Sequence, residues 1–308
     1  MSVMDEDISR RGAFGRSQRL WIGSLVIVAG LIGAEWFTSS SAPSSADWAA
    51  SAETIAAQVA EGDALWILPT WSQLDPAFRA GPGSALDGLA LLTMSEPTVL
   101  DLARHRRVWI VSLDPDVRGL PDAVGPMEPI ASHGLLHVST VDLPARELSF
   151  DLATSLESAD VNRWDTEGES RRCFWRRDRH HCPGVARDQD VRWTWGEVGN
   201  TRRKAAFVHA GPDGGRLELA WDAVKTSAEL HVSLGLGLQA VRREAGGDVR
   251  VRVSLGGAVL WEQLLTPRDF HWYTRRFALD SRESTRLSIE VFAADARKRE
   301  VFVDVVSF

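Results

Sequence analysis

The sequence is poor in the features that define several common classes of protein. It has only two cysteines in 308 residues, so it is not a small disulfide-rich scaffold. Its glycines form no phosphate-binding loop, because the GPGS segment at 81–84 neither follows a strand directly nor has the required spacing. The net charge of −7 gives no overall attraction to nucleic acid. We therefore predict no nucleotide cofactor and no nucleic-acid partner.

Basic residues are also missing from one long stretch, between Arg19 and Arg79. Residues 20–37 (LWIGSLVIVAGLIGAEWF) lie within it and are just long and apolar enough to cross a bilayer, with a tryptophan near each end. Four arginines precede them, namely Arg10, Arg11, Arg16 and Arg19. By the positive-inside rule, residues 1–19 form a cytoplasmic tail and the remainder is exported.

Two other interpretations of residues 20–37 exist. A cleaved signal peptide has the same basic start and apolar core, but Trp36 and Phe37 fit poorly beside a cleavage site. A buried soluble helix is disfavoured because the segment has no polar face. We predict a single-pass inner-membrane anchor at 20–37, a flexible linker at 38–46 and a periplasmic bulk.

Residues 47–160 alternate between helical and strand patterns. A helix follows Asp47 and stops at Gly62, and a second helical stretch ends at Arg107. Continuous apolar runs at 64–69 and 108–113 suit strands that are buried on both faces, and 135–141 is a third candidate. This alternation predicts a small α/β domain with a mainly parallel sheet.

Residues 161–308 have a different texture. From Val191 onward, nine short segments with strand patterns are separated by turn signals, and no helix pattern interrupts them. Leu217 and Leu219, for example, alternate with Arg216 and Glu218. We predict an antiparallel, jelly-roll-like β-sandwich.

Three motifs in the exported part carry a resemblance. They are D-W-x-x-x-A-x-x-I-A at 47–56 with EGDALWILP after it, F-D-L-x-x-x-L-x-x-A-D-V-N at 150–162, and C-F-W-x-x-x-x-H-x-C-P-G at 173–184. Together they resemble the extracytoplasmic C-terminal region of bacterial membrane glycosyltransferases of the protein-mannosyltransferase and aminoarabinose-transferase type. The catalytic many-helix membrane portion of that family is missing, so no catalytic residue carries over. The resemblance implies a detached accessory domain beside an envelope glycosyltransferase.

The segment 171–184 contains both cysteines and is strongly basic. A disulfide between Cys173 and Cys182 is the favoured prediction in an oxidising compartment. Free thiols and a zinc site with His180 and His181 are the alternatives, although the spacing matches no common structural zinc pattern.

Five arginines surround Phe174 and Trp175 in that segment: Arg171, Arg172, Arg176, Arg177 and Arg179. Outside the cytoplasm, such a set suits a lipid phosphate, a polyanionic glycan or a partner protein, and a solvated charged loop is the alternative. We take Arg176, Arg177 and Trp175 as candidate ligand-binding residues.

A second candidate site comes from the aromatic residues of the sandwich. Exposed aromatic rings can stack on sugars, and His271, Trp272, Tyr273 and Arg275 form a suitable set. The alternative is packing, because alternation turns one face of each strand into the core.

The sequence offers no clear catalytic arrangement. Ser132-His133, with Asp114 and Asp116 upstream, lacks the context of a nucleophile elbow. We therefore predict a non-enzymatic module that binds a glycan, a glycolipid or a membrane partner. The rival hypotheses are a purely structural interaction module and a hydrolase or transferase with its site at the domain interface.

Overall fold

Strands dominate the part of the chain that the computed structural model describes, which comprises residues 42–70, 86, 89–121, 124–184, 189–199, 201–209, 215–242, 248–279, 284–293 and 300–308. The predicted cytoplasmic tail and the predicted anchor lie outside these residues, so both stay predictions. Among the described helices, none has both the length and the apolar character that a bilayer crossing requires.

The first unit is a five-stranded sheet with a helix against one face. It consists of α1 (Ser45–Ala56), β1 (Asp63–Leu68), β2 (Ala90–Leu92), α2 (Val99–Leu102), β3 (Arg107–Ser112), β4 (Glu128–His133) and β5 (Leu136–Asp142). The strand order is β2-β1-β3-β5-β4. β1 pairs in parallel with β2 and β3, whereas β5 pairs antiparallel with β3 and β4. The mainly parallel sheet of our prediction is therefore wrong, because a tight turn at Gly134 joins β4 to β5 and forces them antiparallel.

The central strands are buried on both faces, as their continuous apolar runs predict. Leu65 and Ile67 of β1 pack with Trp48 of α1 on one side of the sheet. Trp66 faces the other side and donates its indole N–H to the Met94 carbonyl at 2.8 Å. The sheet can therefore bury its large aromatic side chains without leaving this donor unpaired.

Helix α1 is shorter than the predicted helix at its C-terminal end. Ser44 caps its start, so the helix begins inside the predicted linker. It ends at Ala56 rather than at Gly62. The reason is a turn in which the Asp63 carboxylate accepts the Ala60 N–H at 3.0 Å, while Gly62 adopts φ +87°. This turn redirects the chain into β1.

The second unit is a sandwich of two antiparallel sheets. Its elements are β6 (Phe150–Asp151), α3 (Leu152–Ser155), a 3₁₀ turn (Leu156–Ser158), β7 (Asp160–Trp164), β8 (Ser170–Arg172), β9 (Phe174–Arg176), β10 (Arg179–His181), β11 (Val191–Val198), β12 (Thr201–His209), β13 (Arg216–Lys225), β14 (Glu229–Leu236), α4 (Leu238–Arg242), β15 (Val249–Leu255), β16 (Ala258–Leu265), β17 (Tyr273–Ala278), β18 (Ser284–Ala293) and β19 (Glu300–Ser307). The eight-stranded sheet has the order β17-β14-β19-β12-β11-β10-β9, with β6 also on β19. The six-stranded sheet has the order β16-β15-β18-β13-β7-β8.

All nine segments predicted as strands from Val191 onward are strands, β11 to β19. The predicted absence of helix is wrong, since α4 follows β14. Its Ala240 and Val241 are buried in the core, which anchors this short helix to the sandwich. The strand β6 also belongs to the sandwich, although it precedes the predicted boundary at 160/161, because it pairs with β19.

The two units meet where β12 and β19 separate. These strands stop pairing after Ala206 and Val303, and β6 then takes the place of β12 beside β19. Arg104, two residues beyond α2, lies at this split. It donates hydrogen bonds to Asp304 and Asp151 at 2.6–2.9 Å. A charged group of the first unit thus occupies the gap in the sheet of the second.

Candidate functional site

The predicted disulfide between Cys173 and Cys182 is present. It closes the base of the β9–β10 hairpin, which forms one edge of the eight-stranded sheet. Both cysteines are buried, and the hairpin turns at Arg177, whose φ is +64°. Because both sulfurs are in the bond, neither free thiols nor a cysteine-ligated zinc site applies.

Three adjacent strands place arginines directly opposite one another. Arg179 of β10 is paired with Arg176 of β9 on one side and with Arg192 of β11 on the other. Opposite residues lie on the same face of a sheet. The Arg192 guanidinium lies 4.3 Å from the centroid of the Phe207 ring, which packs with Phe302 in a cluster on the outer face. We call Arg176, Arg179 and Arg192 the arginine row; it lies on the face that points away from the six-stranded sheet.

Within the described ranges, the three arginines of the row differ in their contacts. Arg179 donates two hydrogen bonds to Asp178, both at 2.9 Å. Arg192 donates to the backbone carbonyl of Asp190 at 3.2 Å. Arg176 and its neighbour Arg177 are exposed, and within the described ranges neither forms an ion pair. Two guanidinium groups at the hairpin tip are therefore available to a ligand.

Arginines on the outer face of the six-stranded sheet differ from those of the hairpin in that they form ion pairs. Each of four has a carboxylate partner across the strands: Arg216 and Arg252 on Glu290, Arg250 and Arg252 on Glu262, and Arg286 on Glu218. Charges on that face are interleaved and neutralised. The described arginines of that face are thus paired with carboxylates, whereas Arg176 and Arg177 at the hairpin tip form no ion pair with a described residue.

An open hollow of about 310 Å³ lies at the hairpin and is lined by Arg176, Arg177, Asp178, Arg179 and His181. The His181 Nδ1 lies 2.7 Å from an oxygen of the Asp190 carboxylate, which is buried. This contact fixes the orientation of the imidazole ring at the wall of the hollow.

The two aromatic residues of β9 face opposite ways. Phe174 is 57% exposed and lies opposite His181 on the outer face, with ring centroids 5.9 Å apart. Trp175 lies on the core side in an edge-to-face contact with His180, 4.9 Å between centroids. Burial lowers the pKa of His180, whose Nε2 contacts the Leu156 carbonyl at 2.7 Å. Of the predicted hairpin residues, Arg176 and Arg177 reach the hollow and Trp175 does not.

The second predicted set lies at the opposite edge of the same sheet and is divided between its faces. Trp272 packs on the outer-face cluster. Tyr273 packs on the core side, and the His271 ring centroid lies 4.3 Å from that of Tyr273. The Arg275 guanidinium lies 5.1 Å from the ring centroid of the buried Trp261. These four residues therefore do not form one continuous surface, and they are far along the sheet from the hairpin.

The Tyr273 hydroxyl forms a hydrogen bond with a nearby residue of its own chain segment. Its hydroxyl donates a hydrogen bond to the Asp269 carboxylate at 2.8 Å. Burial, followed by that carboxylate, raises the pKa of Tyr273 to about 12. The hydroxyl thus stays protonated and occupied as a donor at neutral pH.

The serine and histidine considered for catalysis do not form a triad. Ser132 Oγ lies 3.1 Å from Nδ1 of His137, not from His133. The Asp114 carboxylate accepts the backbone N–H of Asp116 within its own loop. Across the described ranges, no carboxylate contacts His137, so this pair lacks an orienting acid.

No protein-family model and no curated protein matches this chain. Among solved structures, a family 51 carbohydrate-binding module from Clostridium perfringens in complex with methyl-galactose is 10% identical, with a TM-score of 0.28 over 48% of this chain and 80% of that one. A module from Caldicellulosiruptor saccharolyticus in complex with mannohexaose is 15% identical, with a TM-score of 0.27 over 38% and 80%. A family 35 module from Clostridium thermocellum is 14% identical, with a TM-score of 0.24 over 37% and 88%. Similarity this weak supports no inference about the ligand of this chain.

Proposed function

We propose that this protein is a non-catalytic, extracytoplasmic module that binds an acidic glycan, free or as the head group of a glycolipid, at the arginine row. The observation that carries the proposal is the register of Arg176, Arg179 and Arg192 across three strands. Like charges directly opposite each other destabilise a sheet. A bound polyanion would offset that repulsion, so anion binding accounts for three arginines at directly opposing positions.

The chemistry of the hairpin suits a sugar that carries phosphate or carboxylate. Guanidinium groups bind such anions with paired, charge-assisted hydrogen bonds, and Arg176 and Arg177 have no competing partner among the described residues. The exposed ring of Phe174 lies on the same face and offers an apolar surface to the C–H groups of a pyranose. The hollow of about 310 Å³ that Arg176 and Arg177 line is large enough for a monosaccharide unit.

The disulfide and the His181–Asp190 contact give this hairpin its shape. A three-residue edge strand has little pairing energy of its own, so a covalent link at its base limits the conformations that must be ordered on binding. Charged side chains also protect an edge strand from pairing with other molecules. If protection of the edge strand were the only role of these arginines, no ligand would bind saturably, so a binding experiment distinguishes that role from the proposal.

The location we propose is the outer leaflet side of the inner membrane, with residues 20–37 as the anchor. The arginines before that segment and the absence of basic residues until Arg79 support this orientation. The resemblance of the three motifs to those of membrane glycosyltransferases is the basis for proposing an envelope glycosyltransferase as the partner. Such an arrangement would hold the arginine row near glycans that are assembled on lipid carriers.

The test is a glycan array probed with the full-length chain in a nonionic detergent. The array carries phosphorylated and uronic-acid-containing glycans beside their neutral counterparts. We expect saturable binding to the acidic members only, weakened about tenfold or more in Arg176→Gln/Arg177→Gln. The control, Arg250→Gln/Arg252→Gln, removes the same charge from the opposite sheet and should bind normally.

Two results would contradict the proposal. Binding to neutral glycans that is lost in Trp272→Ala would place a sugar site at Trp272, just before β17, instead. An absence of saturable binding to any acidic glycan would favour the rival function, a module that contacts only a protein partner.

A further inference from the structure

Two arginines face each other at the edge of the six-stranded sheet, away from the arginine row. Arg163 of β7 is paired with Arg171 of β8. On its other side, Arg163 is paired with Leu217 of β13, a core residue. Directly opposite residues lie on the same face of a sheet, so the side chains of Arg163 and Arg171 both leave the backbone on the core side of this sheet. The arginine row belongs to the other sheet and to its outer face.

Arg163 is buried and has no counterion among the described residues. The residue is 6% exposed, and its Nη2 is a buried donor with no acceptor within the described part of the chain. Burial, followed by the charge of Arg171, lowers the pKa of Arg163 to about 10, so the group is still charged at neutral pH. Buried charges in proteins are normally paired, because an uncompensated one is costly.

Two other arginines of the described part, the half-buried Arg104 and the buried Arg203, follow that rule. Arg104 is paired with Asp304, and Arg203 lies 3.2 Å from Asp101. Arg163 instead faces a second arginine. Arg171 is exposed and likewise has no ion pair among the described residues. A carboxylate would be the expected neighbour of Arg163, but among the described residues a second cation, Arg171, lies there instead.

The space beside Arg171 is bounded by the turn after the disulfide. Gly184 adopts φ +79°, and a Cβ at this position would lie 3.2 Å from the Arg171 Nη1. A side chain there would therefore crowd the guanidinium. The glycine keeps the approach to Arg171 open.

We infer that Arg163 and Arg171 together bind a small oxyanion, a phosphate, sulfate or carboxylate group, at the edge of β7 and β8 beside Gly184. Two guanidinium groups from facing strands offer the forked donors that a tetrahedral or planar oxyanion accepts. The bound anion would supply the negative charge that no described carboxylate provides here. Ordered water could satisfy the Arg163 donor but would not offset the two positive charges.

Isothermal titration of the full-length chain with inorganic phosphate, at constant ionic strength, tests this site. We expect saturable binding to one site per chain. Arg171→Gln should weaken it about tenfold or more, since a charge-assisted contact is lost. Arg163→Met keeps the volume of the buried side chain, so the fold should persist while phosphate binding is lost. Arg250→Gln is the control and should bind as the unmodified chain does.

Titration with glucose 6-phosphate distinguishes the two sources of the anion. Tighter binding than inorganic phosphate would identify the site as one for a phosphorylated sugar, and equal or weaker binding as one for the free ion. No saturable binding of phosphate or sulfate would overturn the inference, as would binding that survives both Arg163→Met and Arg171→Gln. Binding lost only in Arg176→Gln/Arg177→Gln would overturn it too, and would assign the anion to the arginine row.

Discussion

Arg104 donates two hydrogen bonds to Asp304, at 2.8 and 2.6 Å, across the contact between the α/β unit and the sandwich. Burial raises the pKa of Asp304, against the opposing charge of Arg104. The same arginine also reaches Asp151, which caps helix α3. One side chain of the first unit therefore satisfies two acids of the second, at the point where β12 leaves β19.

Removing this arginine should strongly destabilise the protein. Arg104→Met leaves Asp304 buried without its partner, which we expect to lower the free energy of unfolding by about 3–5 kcal/mol. In the control, Arg107→Met, the partner Asp142 has a side chain that is 76% exposed, so the loss should stay below about 1 kcal/mol. Urea unfolding of both variants measures the difference. Equal losses would mean that the contact between the two units does not depend on Arg104.

Breaking the disulfide should affect both stability and binding. The bond closes a loop across a sequence separation of 9, so replacing both cysteines by alanine should cost about 2–3 kcal/mol in the loop-entropy model. The hairpin would then order only when ligand binds, which weakens affinity for acidic glycans. Unfolding in urea and the same glycan array measure the two effects. Full stability together with normal binding in this variant would show that the edge strands are ordered without the bond.

The strands of the sandwich were predictable because their pattern is local. Leu217 and Leu219 alternate with Arg216 and Glu218, and period-2 alternation identifies a half-buried strand without knowledge of its neighbours. The α/β unit shows the limit of such reasoning. The apolar run of β5 has the same pattern whether its neighbour is parallel or antiparallel. The tight turn at Gly134 makes β4 and β5 antiparallel, but no local pattern predicts that β5 also pairs antiparallel with β3.

The candidate site was predictable in composition but not in arrangement. The basic segment and its disulfide are visible in the sequence, yet the contribution of Arg192 depends on the register between β10 and β11. The orientation of Trp175 and Phe174 also depends on which face of the hairpin meets the core. Arg163 shows the same limit, since its position opposite Arg171 comes from pairing between strands that a loop separates.

Stability should rise with pH in a window set by His105. Burial, followed by the charge of Arg104, lowers the pKa of His105 to about 4 from 6.5, against the acids Asp101 and Asp63 and a hydrogen bond to the Gly62 backbone. Between pH 4 and 6.5 the unfolded chain thus binds a proton that the folded chain does not, so stability falls as pH drops.

His105→Gln should flatten that pH dependence. The variant removes the titrating group, so its free energy of unfolding should change less between pH 6.5 and 4 than that of the unmodified chain. His271→Gln, which replaces an exposed histidine, is the control for the substitution itself. Urea unfolding at several pH values measures both. An unchanged slope in His105→Gln would show that other groups cause the acid destabilisation, among them His180, whose pKa is also lowered by burial.

Replacing one arginine of the row should separate folding from binding. Arg176 lies directly opposite Arg179, so Arg176→Gln relieves a like-charge contact and should raise the free energy of unfolding by a few tenths of a kcal/mol. The same variant should bind acidic glycans more weakly, because it removes one of the two unpaired guanidinium groups. Arg252→Gln, which removes an arginine paired with Glu262 and Glu290, should show the reverse: unchanged binding and equal or lower stability. Urea unfolding and titration with the best acidic glycan give both values. A residue that is kept for binding is expected to reduce the stability of the fold. If Arg176→Gln instead lowers the free energy of unfolding and leaves the affinity unchanged, the arginine row stabilises the hairpin and does not bind a ligand.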